Sequence, residues 1–407
     1  MFEPKLTFAS DWPEVELRQG PLSGIRILDL SRILAGPYAS MNLADLGADV
    51  IKVEAPGRGD ETRHWGPPFT PDGTASYFLA VNHNKRSLTL GLKDRSGSAI
   101  ARHLATYADV IIDNFLPGKM QAFGLSREHI DSMNPRAITA TISGFGADNP
   151  YAGRPGFDFL AQAMGGLMSI TGEKDGMPIR VGVAVNDLMA GLHAALGIVA
   201  ALQERDRTGI GRQVDIGLLD TQVAMLANIA SGWLNAGAVP KPFGNRHPSI
   251  APYETLETAD KPLAVAVGTD RQFRLMCQAL GAPEIAEDSR FSSNLARVSH
   301  REALVEVLEN LLRNDGRDQW LSIFTAGGVP AAPVNTVPEV FADPVIQDRM
   351  VVLVDGIRQV RSPLRLDGKP LAVDTAPHSL GQDSCAILAQ LGLSDRTIKH
   401  LLARGAI

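Results

Sequence analysis

An isolated acid, Asp187, opens the segment VNDLMAGLHAALG (185–197), in which nearly every other residue is apolar or small. Asp is a preferred N-cap residue of helices. It is also a carboxylate that becomes an oriented nucleophile in a dry pocket with fixed N–H dipoles. Helical periodicity alone favours the cap, and both interpretations stay open. His193 lies six residues further on, on a different helix face, so its spacing does not indicate a nucleophile–base dyad.

Polar residues at three strand ends are candidates for binding a ligand. NHNKRSLTLGLK (82–93) carries basic side chains that suit phosphate oxygens, or that belong to a solvated strand end. In DNFLPG (113–118), Asn114 offers hydrogen bonds and Phe115 an apolar surface for a base or a pantetheine chain, unless the segment is only a turn. The turn SRILAGPYAS (31–40) could present N–H groups to phosphate, but it lacks GxGxxG, which favours a plain turn.

Alternating strand-like and helix-like segments must position these residues. Strands are predicted at 24–31, 49–54, 86–92, 109–115 and 137–145, with helices at 37–48, 96–108 and 126–134 between them. This alternation predicts an α/β fold with a Rossmann-like open parallel sheet. Open parallel sheets bind ligands beyond the carboxyl ends of their strands, which is where the segments at 31–40 and 113–118 fall.

The second half of the chain is more irregular. Residues 159–202 are predicted to form two helices separated by a turn at 172–178, and 211–237 a strand followed by one long helix. A Pro- and Gly-rich linker at 238–256 and a Pro-rich connector at 327–344 flank a strand and several helices. Strands at 351–368 and helices at 384–403 end the chain.

Composition and charge limit the class of protein. A chain of 407 residues is expected to form two to three domains, and its net charge of −6 argues against a nucleic-acid surface. Two cysteines without metal-binding spacing give neither a disulfide framework nor a zinc site, and the histidines form no metal-binding motif. No signal-peptide core and no uninterrupted apolar window of membrane-spanning length is found, so a cytoplasmic protein with no membrane partner is expected.

Five ordered segments together resemble the family III CoA-transferases, the group of formyl-CoA transferase, carnitine CoA-transferase and α-methylacyl-CoA racemase. The resemblance runs from about residue 22 to the C-terminus, and GNRHPSIAPYETL is most similar to the succinyl-CoA-dependent dicarboxylate branch. The segments that carry it are GIRILDLSRILAGPYASMNLADLGADVIKVE, NHNKRSLTLGLK, DVIIDNFLPG, GFDFLAQAMGGLM and VNDLMAGLHAALGIVAAL.

This resemblance implies a CoA-transferase in which Asp187 is the catalytic residue and CoA is a substrate rather than a permanent cofactor. Two departures from formyl-CoA transferase, Ala55 and Ala122, stand where that enzyme has CoA-contacting arginines. For the far carboxylate of a dicarboxylate, the candidate cations are Arg246, His247 and Arg32. The residues implied to contact CoA are Leu34, Ala35, Leu90, Lys93, Asn114, Phe115, Leu116, Pro155, Gly156, Phe157 and Asp158.

The family resemblance also implies an architecture. It predicts an interlocked, ring-like homodimer, with a large domain at 1–220 and 330–407 and a smaller α/β domain at 221–329. Its expected partners are an acyl-CoA and a small carboxylic acid.

Three alternatives to transfer stay open. The racemases of the family carry His in a GHD sequence as one of two acid–base groups, and here GFD places Phe157 at that position. Because Phe can neither remove nor deliver a proton, transfer is favoured over racemization. An NAD-dependent oxidoreductase would suit the α/β start but lacks its glycine fingerprint. A non-catalytic CoA-binding protein would suit Ala55, Ala122 and a capping Asp187.

Overall fold

The computed structural model describes residues 6–71 and 73–407 and places them in two compact units. The larger unit comprises the chain up to Leu167, Arg180–Asn235 and Val345–Ile407, and the smaller unit comprises Met168–Ile179 and Ala236–Pro344. The strands are β1 (Arg26–Asp29), β2 (Asp49–Glu54), β3 (Lys85–Thr89), β4 (Val110–Asp113), β5 (Ile138–Ser143), β6 (Gln213–Gly217), β7 (Tyr253–Leu256), β8 (Leu263–Ala266), β9 (Ala331–Pro333), β10 (Val351–Val354), β11 (Ile357–Val360), β12 (Arg365–Leu366) and β13 (Lys369–Pro370). The helices are α1 (Ala35–Asp45), α2 (Ser76–Leu79), α3 (Arg95–Tyr107), α4 (Lys119–Ala122), α5 (Arg127–Met133), α6 (Asp158–Met164), α7 (Val185–Thr208), α8 (Leu218–Met225), α9 (Ala227–Ala236), α10 (Asp270–Ala279), α11 (Asn294–Ser299), α12 (Arg301–Leu312), α13 (Arg317–Ala326), α14 (Val337–Ala342), α15 (Pro344–Met350), α16 (Ser384–Gln390) and α17 (Asp395–Ala403).

A six-stranded sheet organises the larger unit. Its order is β3-β2-β1-β4-β5-β6, and every neighbouring pair is parallel. The predicted α/β fold with an open parallel sheet is therefore confirmed. Successive side chains of β1 point to opposite faces, so Ile27 packs towards α1 and α7 while Leu28 packs towards α3 and α16. The strand order reverses between β1 and β4, and such a switch point is where open α/β sheets bind ligands.

Helix α7 packs only one of its faces into this core. Its small residues Ala190, Gly191 and Ala194 let it lie close to α1, and a Cβ on Gly191 would stand 2.6 Å from the carbonyl oxygen of Ala35. The sequence from 188 to 202 is apolar or small nearly all round, a pattern that predicts a helix buried on every side. That prediction is wrong for the face opposite the core, where Leu196 is 67% exposed. The pattern could not distinguish a fully buried helix from one with a further apolar face.

By length and composition, α7 is also apolar enough to cross a membrane, the one such helix in the part of the chain that the structure describes. Core helices meet the same criterion. Here Arg205, near the end of α7, is buried and forms an ion pair with Asp109 at 2.8 Å, and Ile198 is fully buried against the sheet. The expectation of no membrane partner stays a prediction.

The long helix predicted within 211–237 is broken instead. Helix α8 ends at Met225 and α9 begins at Ala227, whose φ of 44° is incompatible with a continuous right-handed helix. After the sheet of the larger unit, β10 pairs with β11 and β12 with β13 in antiparallel hairpins, while α16 and α17 join the core on the α3 side.

The smaller unit is built on the antiparallel sheet β7-β8-β9, covered by α10, α12 and α13. The compact units differ from the expected domains at three places: residues 221–235 belong to the larger unit, whereas residues 168–179 and 330–344 belong to the smaller unit. The boundaries at 220 and 330 stay predictions, and the first five residues of the predicted large domain lie outside the described residues.

Candidate active site

A cavity of about 420 Å³ lies at the switch point of the parallel sheet. It is bordered by the segments that follow β1, β4 and β5 and by the start of α7, which brings Asp187 together with the predicted residues around 34, 115 and 156. Its lining residues are Arg32, Ile33, Leu34, Ala35, Glu61, Trp65, Asn114, Phe115, Leu116, Pro117, Ile142, Ser143, Gly144, Ala152, Arg154, Pro155, Gly156, Phe157, Asp187 and Leu218.

Asn114 links the two loops that flank the switch point. Its Oδ1 accepts a hydrogen bond from the backbone N–H of Arg32 at 2.9 Å, and its Nδ2 donates to the carbonyl oxygen of Arg32 at 2.6 Å. The sequence predicted that this amide contacts a ligand. In the structure it lines the cavity, but its main bonds hold the loop after β1.

Asp187 occupies the third position of α7, and it is not the cap of this helix. The N-cap is Ala184, which offers no side-chain acceptor. The carboxylate of Asp158 fills that role from a distance in sequence, since its Oδ1 accepts from the N–H of Asn186 at 2.9 Å and from that of Asp187 at 3.4 Å. The capping interpretation of Asp187 is therefore wrong, and its carboxylate lines the cavity instead.

Burial makes Asp187 an unusual acid. Desolvation in the cavity, followed by the negative charge of Asp158, raises the pKa of Asp187 to about 7. Such perturbed acids are typical of functional sites. A carboxylate poorly solvated by water, with a pKa near neutrality, is a stronger nucleophile and base than an exposed one.

Replacing Asp158 with Asn is expected to lower the pKa of Asp187 by about one pH unit, because a neutral amide removes the repulsion and leaves burial as the remaining cause. The amide oxygen can still accept from the N–H of Asn186. We expect the ¹³C carboxyl resonance of Asp187 to titrate at lower pH in this variant. Asp206→Asn, an exposed acid on the same helix, should leave it unchanged. An unaltered titration in Asp158→Asn would mean that burial alone sets the pKa.

Asp158 itself is less available to a ligand than the sequence implied. It is buried, and its second oxygen, Oδ2, accepts from Nε2 of Gln162 at 2.7 Å. Both carboxylate oxygens are thus engaged by protein donors. The structure gives Asp158 a place behind the start of α7 and beside Asp187.

A second cavity, of about 300 Å³, adjoins the first at Arg32 and Phe115, which line both. Two further predicted CoA contacts, Leu90 and Lys93, line it, together with Ala55. Its other lining residues are Leu30, Lys52, Val53, Glu54, Gly59, Asp60, Gly91, Leu92 and Phe123. A long, partly apolar ligand that occupied both cavities would pass alongside Arg32 and Phe115, whose guanidinium and ring are stacked on each other at 5.2 Å.

Of the three basic residues around β3, only Lys93 faces a cavity of this site. The ammonium of Lys85 is buried and bonds to Pro37 O at 2.8 Å and to Asn82 Oδ1 at 2.9 Å, and burial lowers its pKa to about 7. Arg86 pairs with Asp49 at 2.5 Å. Lys85 is therefore neither a phosphate ligand nor part of a solvated strand end, because its ammonium is paired with Asp29 inside the fold.

The turn after β5 brings two glycines into contact at the cavity wall. A Cβ on Gly156 would lie 2.0 Å from the Cα of Gly144, and one on Gly144 would lie 2.4 Å from the Cα of Gly156. No side chain fits between them. The neighbouring Phe157 is half exposed and lines the same cavity as Asp187.

Arg246 and His247, the candidates for a second substrate contact, lie in the smaller unit. Arg246 pairs with Glu254 at 3.1 Å and with Glu302 at 2.7 Å. The ring of His247 packs against Tyr253, at 5.3 Å between centroids. The charge of Arg246 is thus already balanced by two carboxylates.

Several cavity residues were not predicted from the sequence, among them Trp65, Arg154 and Gly144. Gly144 lies inside the predicted strand at 137–145 but just beyond the observed end of β5 at Ser143, so the prediction of too long a strand hid its position at a strand end. Arg154 stacks on Tyr151 at 4.4 Å from the ring centroid and brings a second guanidinium to the cavity.

Comparison with known proteins identifies a family. The family model described as CoA-transferase family III matches residues 22–384. A succinate–glutarate CoA-transferase of Agrobacterium fabrum is 43% identical over 391 residues, which are 93% of this chain and 98% of that protein. The human succinyl-CoA:glutarate CoA-transferase is 41% identical over 95% of this chain and 90% of its own. A CAIB/BAIF family protein from Brucella suis has a similar structure, with a TM-score of 0.85, 43% identity, and coverage of 91% of this chain and 99% of that one.

Proposed function

The chain belongs to CoA-transferase family III, and from that premise we propose that it moves CoA from succinyl-CoA to a small dicarboxylic acid, with Asp187 as the catalytic residue. The relatives that are 41–43% identical over nearly the whole chain carry names that specify succinyl or succinate and glutarate. The observation that carries the residue assignment is the half-buried carboxylate of Asp187, with its raised pKa, in the switch-point cavity, where the other lining carboxylate, Glu61, is paired with Arg32 at 2.9 Å.

Carboxylate chemistry accounts for the transfer without ATP or a metal. An oxygen of Asp187 attacks the thioester carbon of succinyl-CoA, the C–S bond breaks, and a mixed anhydride and CoA thiolate form. The thiolate attacks the aspartyl carbonyl, which releases succinate and leaves an aspartyl-CoA thioester. The acceptor carboxylate then displaces the thiolate, and the thiolate attacks the new acyl group, which regenerates Asp187. Each step exchanges one activated acyl bond for another.

Hydrogen-bond donors must stabilise the oxyanions of these steps. The N–H groups of Asn186 and Asp187 at the start of α7 already donate to Asp158. We therefore assign the oxyanion role to N–H groups beside Gly156, on the wall that faces the same cavity.

We assign the two adjoining cavities to the CoA chain. The pantetheine would reach the Asp187 cavity past Leu34, Ala35 and the residues that follow β4, while the nucleotide would lie near Leu90 and Lys93. No permanent cofactor is proposed. For the far carboxylate of the substrate, Arg32 is favoured by its place in the cavity, where it pairs with Glu61 at 2.9 Å, with Arg246 and His247 as the further candidates.

Transfer is favoured over racemization because of Phe157. Its ring stands at the cavity in the place where a racemase of the family would carry an acid–base histidine. Proton exchange at the α-carbon needs a group that removes the proton and one that returns it. An apolar ring supplies neither.

The assembly we propose is the interlocked homodimer of the family. Large apolar side chains are exposed on helices α6 to α9 of the larger unit, and large apolar side chains left in solvent are typical of surfaces that another subunit covers. They are Phe159, Leu160, Met164, Leu192, Leu196, Val199, Val223, Trp233 and Leu234. A cytoplasmic location is proposed with it.

A substrate screen tests the function. Succinyl-CoA and acetyl-CoA are each incubated with a panel of dicarboxylates, including glutarate, and with matching monocarboxylates, and the products are read by mass spectrometry. We expect new acyl-CoA from succinyl-CoA and a dicarboxylate, and trapping of Asp187 as a hydroxamate when hydroxylamine is added during turnover. Transfer only to monocarboxylates would refute the substrate class, and a trapped residue other than Asp187 would refute the assignment. Deuterium uptake at the α-carbon would favour the racemase.

A further inference from the structure

We propose that Asp60 is a positioning residue for the transfer reaction, because it holds the loop of residues 31–34 at the cavity through the N–H of Ile33. This inference rests on the proposed function. Asp60 does not face the reacting group, and it acts on the site through a backbone that borders Asp187.

The loop after β1 has a conformation that needs support. Ile33 has a φ of 72°, in the left-handed region that β-branched residues avoid. Ile33 and the next two residues, Leu34 and Ala35, line the Asp187 cavity. A residue in this conformation persists only where its surroundings fix it, so the groups that bond to this loop determine the shape of one cavity wall.

Asp60 supplies one of these bonds from inside the fold. Its Oδ1 and Oδ2 lie 3.2 and 3.1 Å from the backbone nitrogen of Ile33, and its side chain is fully buried. Lys52, equally buried, donates to Oδ2 of Asp60 at 2.9 Å and to the carbonyl oxygen of Ser31 at 3.0 Å. The ion pair therefore bonds to the loop at two of its residues.

The residue between them is held by another side chain. Asn114 accepts from the N–H of Arg32 and donates to its carbonyl oxygen. Three consecutive residues thus have backbone groups fixed by side chains from β2, from the turn after β2 and from the segment after β4. Stability alone does not require a buried ion pair here, because apolar side chains of similar volume often stabilise as well as such a pair does.

Asp60 also bonds to a second segment, the turn that contains Thr62, and this bond must be distinguished from the bond to Ile33. Oδ1 also accepts from the N–H and the hydroxyl of Thr62, at 3.0 and 2.8 Å, and so caps the 3₁₀ turn Glu61–His64. A test must keep this cap while it removes the bond to Ile33.

Two double variants make that separation in the full-length protein. Lys52→Met with Asp60→Asn removes the ion pair but keeps an oxygen that accepts from both Ile33 and Thr62. Lys52→Met with Asp60→Ser also removes the pair and keeps a cap for Thr62, but the shorter side chain does not reach Ile33. Both double variants lose the same two charges, and they differ only in whether an acceptor for the N–H of Ile33 remains.

We measure kcat and KM with the best donor and acceptor of the wild type, together with amide exchange across residues 31–36. Both variants lose the charge of Lys52, which lines the second cavity, so the comparison is made between the two variants and not with the wild type. The Ser variant is expected to have a kcat about 10-fold lower than that of the Asn variant, with faster exchange at 33–36 and a smaller difference in the KM for acyl-CoA, because small displacements near a reacting group mainly slow the chemical step.

Equal kcat in the two variants would overturn the proposal, whatever the amide exchange. Equal exchange would overturn it as well, since Asp60 would then not hold the loop. A wild type that transfers CoA from no donor would instead refute the proposed function, while the exchange comparison would still decide whether Asp60 fixes Ile33.

Discussion

Replacing Asp187 with Asn is expected to lower CoA transfer by at least about 1000-fold, because the amide has no anionic oxygen with which to form the anhydride. The volume of the side chain and the start of α7 are preserved, since Asp158 and not Asp187 caps that helix. The loss should appear in kcat, measured by mass spectrometry of the acyl-CoA products. CoA binding, measured by calorimetry, should change little.

The same substitution is expected to stabilise the unliganded protein above neutral pH. The pKa of Asp187 is raised in the fold from an ordinary 3.8 to about 7, so the fold retains a proton that the unfolded chain releases. Wild-type stability therefore falls as the pH rises from about 4 to about 7, and the loss persists above that. The shift corresponds to about 4 kcal/mol at most, of which roughly 1–3 kcal/mol is expected at a partly solvated site.

Thermal unfolding at pH 4 and pH 8 separates these effects. Asp187→Asn should raise the Tm at pH 8 and leave it nearly unchanged at pH 4. Asp206→Asn, which removes one negative charge from an exposed site on the same helix, should change the Tm little at either pH. A variant that keeps its transfer activity would remove Asp187 from the mechanism. One that is inactive and also less stable at pH 8 would indicate a structural acid.

The parallel sheet was predictable because its signal is local. Each strand is a short apolar run followed by a helix-forming segment, and β2 was predicted with its observed bounds of 49–54. The placement of Asp187 at a buried helix start followed from the same periodicity. The periodicity could not show that Asp158 caps this helix in place of Asp187, since Asp158 lies 29 residues earlier in the chain. The apolar periodicity of a helix carries no information about hydrogen-bond partners that are distant in sequence.

Charge pairing inside the fold was the other source of error. Lys85 looked like a phosphate ligand or an exposed cation, but Asp29, on a neighbouring part of the sheet, holds its ammonium at 3.4 Å. Arg246 also pairs with two glutamates, which the sequence did not indicate, and its contact with a substrate stays a prediction. Composition indicates which residues carry charge, whereas only the tertiary arrangement determines which charges remain for a ligand.

Replacing Gly156 with Ala is expected to lower the kcat of CoA transfer by about 100-fold or more. The backbone of Gly144 would lie 2.0 Å from the new Cβ, so the two segments must separate, and displacements of about 1 Å near a reacting group reduce rates by this order. Because Gly144 follows β5, whose residues pair with both β4 and β6, the segment around Gly156 is the one expected to move.

This movement should affect kcat and the titration of Asp187 differently in Gly156→Ala. Phe157 and the N–H groups that we assign to the oxyanions would shift relative to Asp187, so kcat should fall while the pH at which Asp187 titrates stays near 7. Gly153→Ala is the matched control, since a Cβ at this position in the same turn meets nothing within 4 Å. If both variants retained wild-type kcat, the wall formed by Gly144 and Gly156 would have no part in the reaction. If both lost it equally, flexibility of the turn, rather than the contact between the two glycines, would limit the rate.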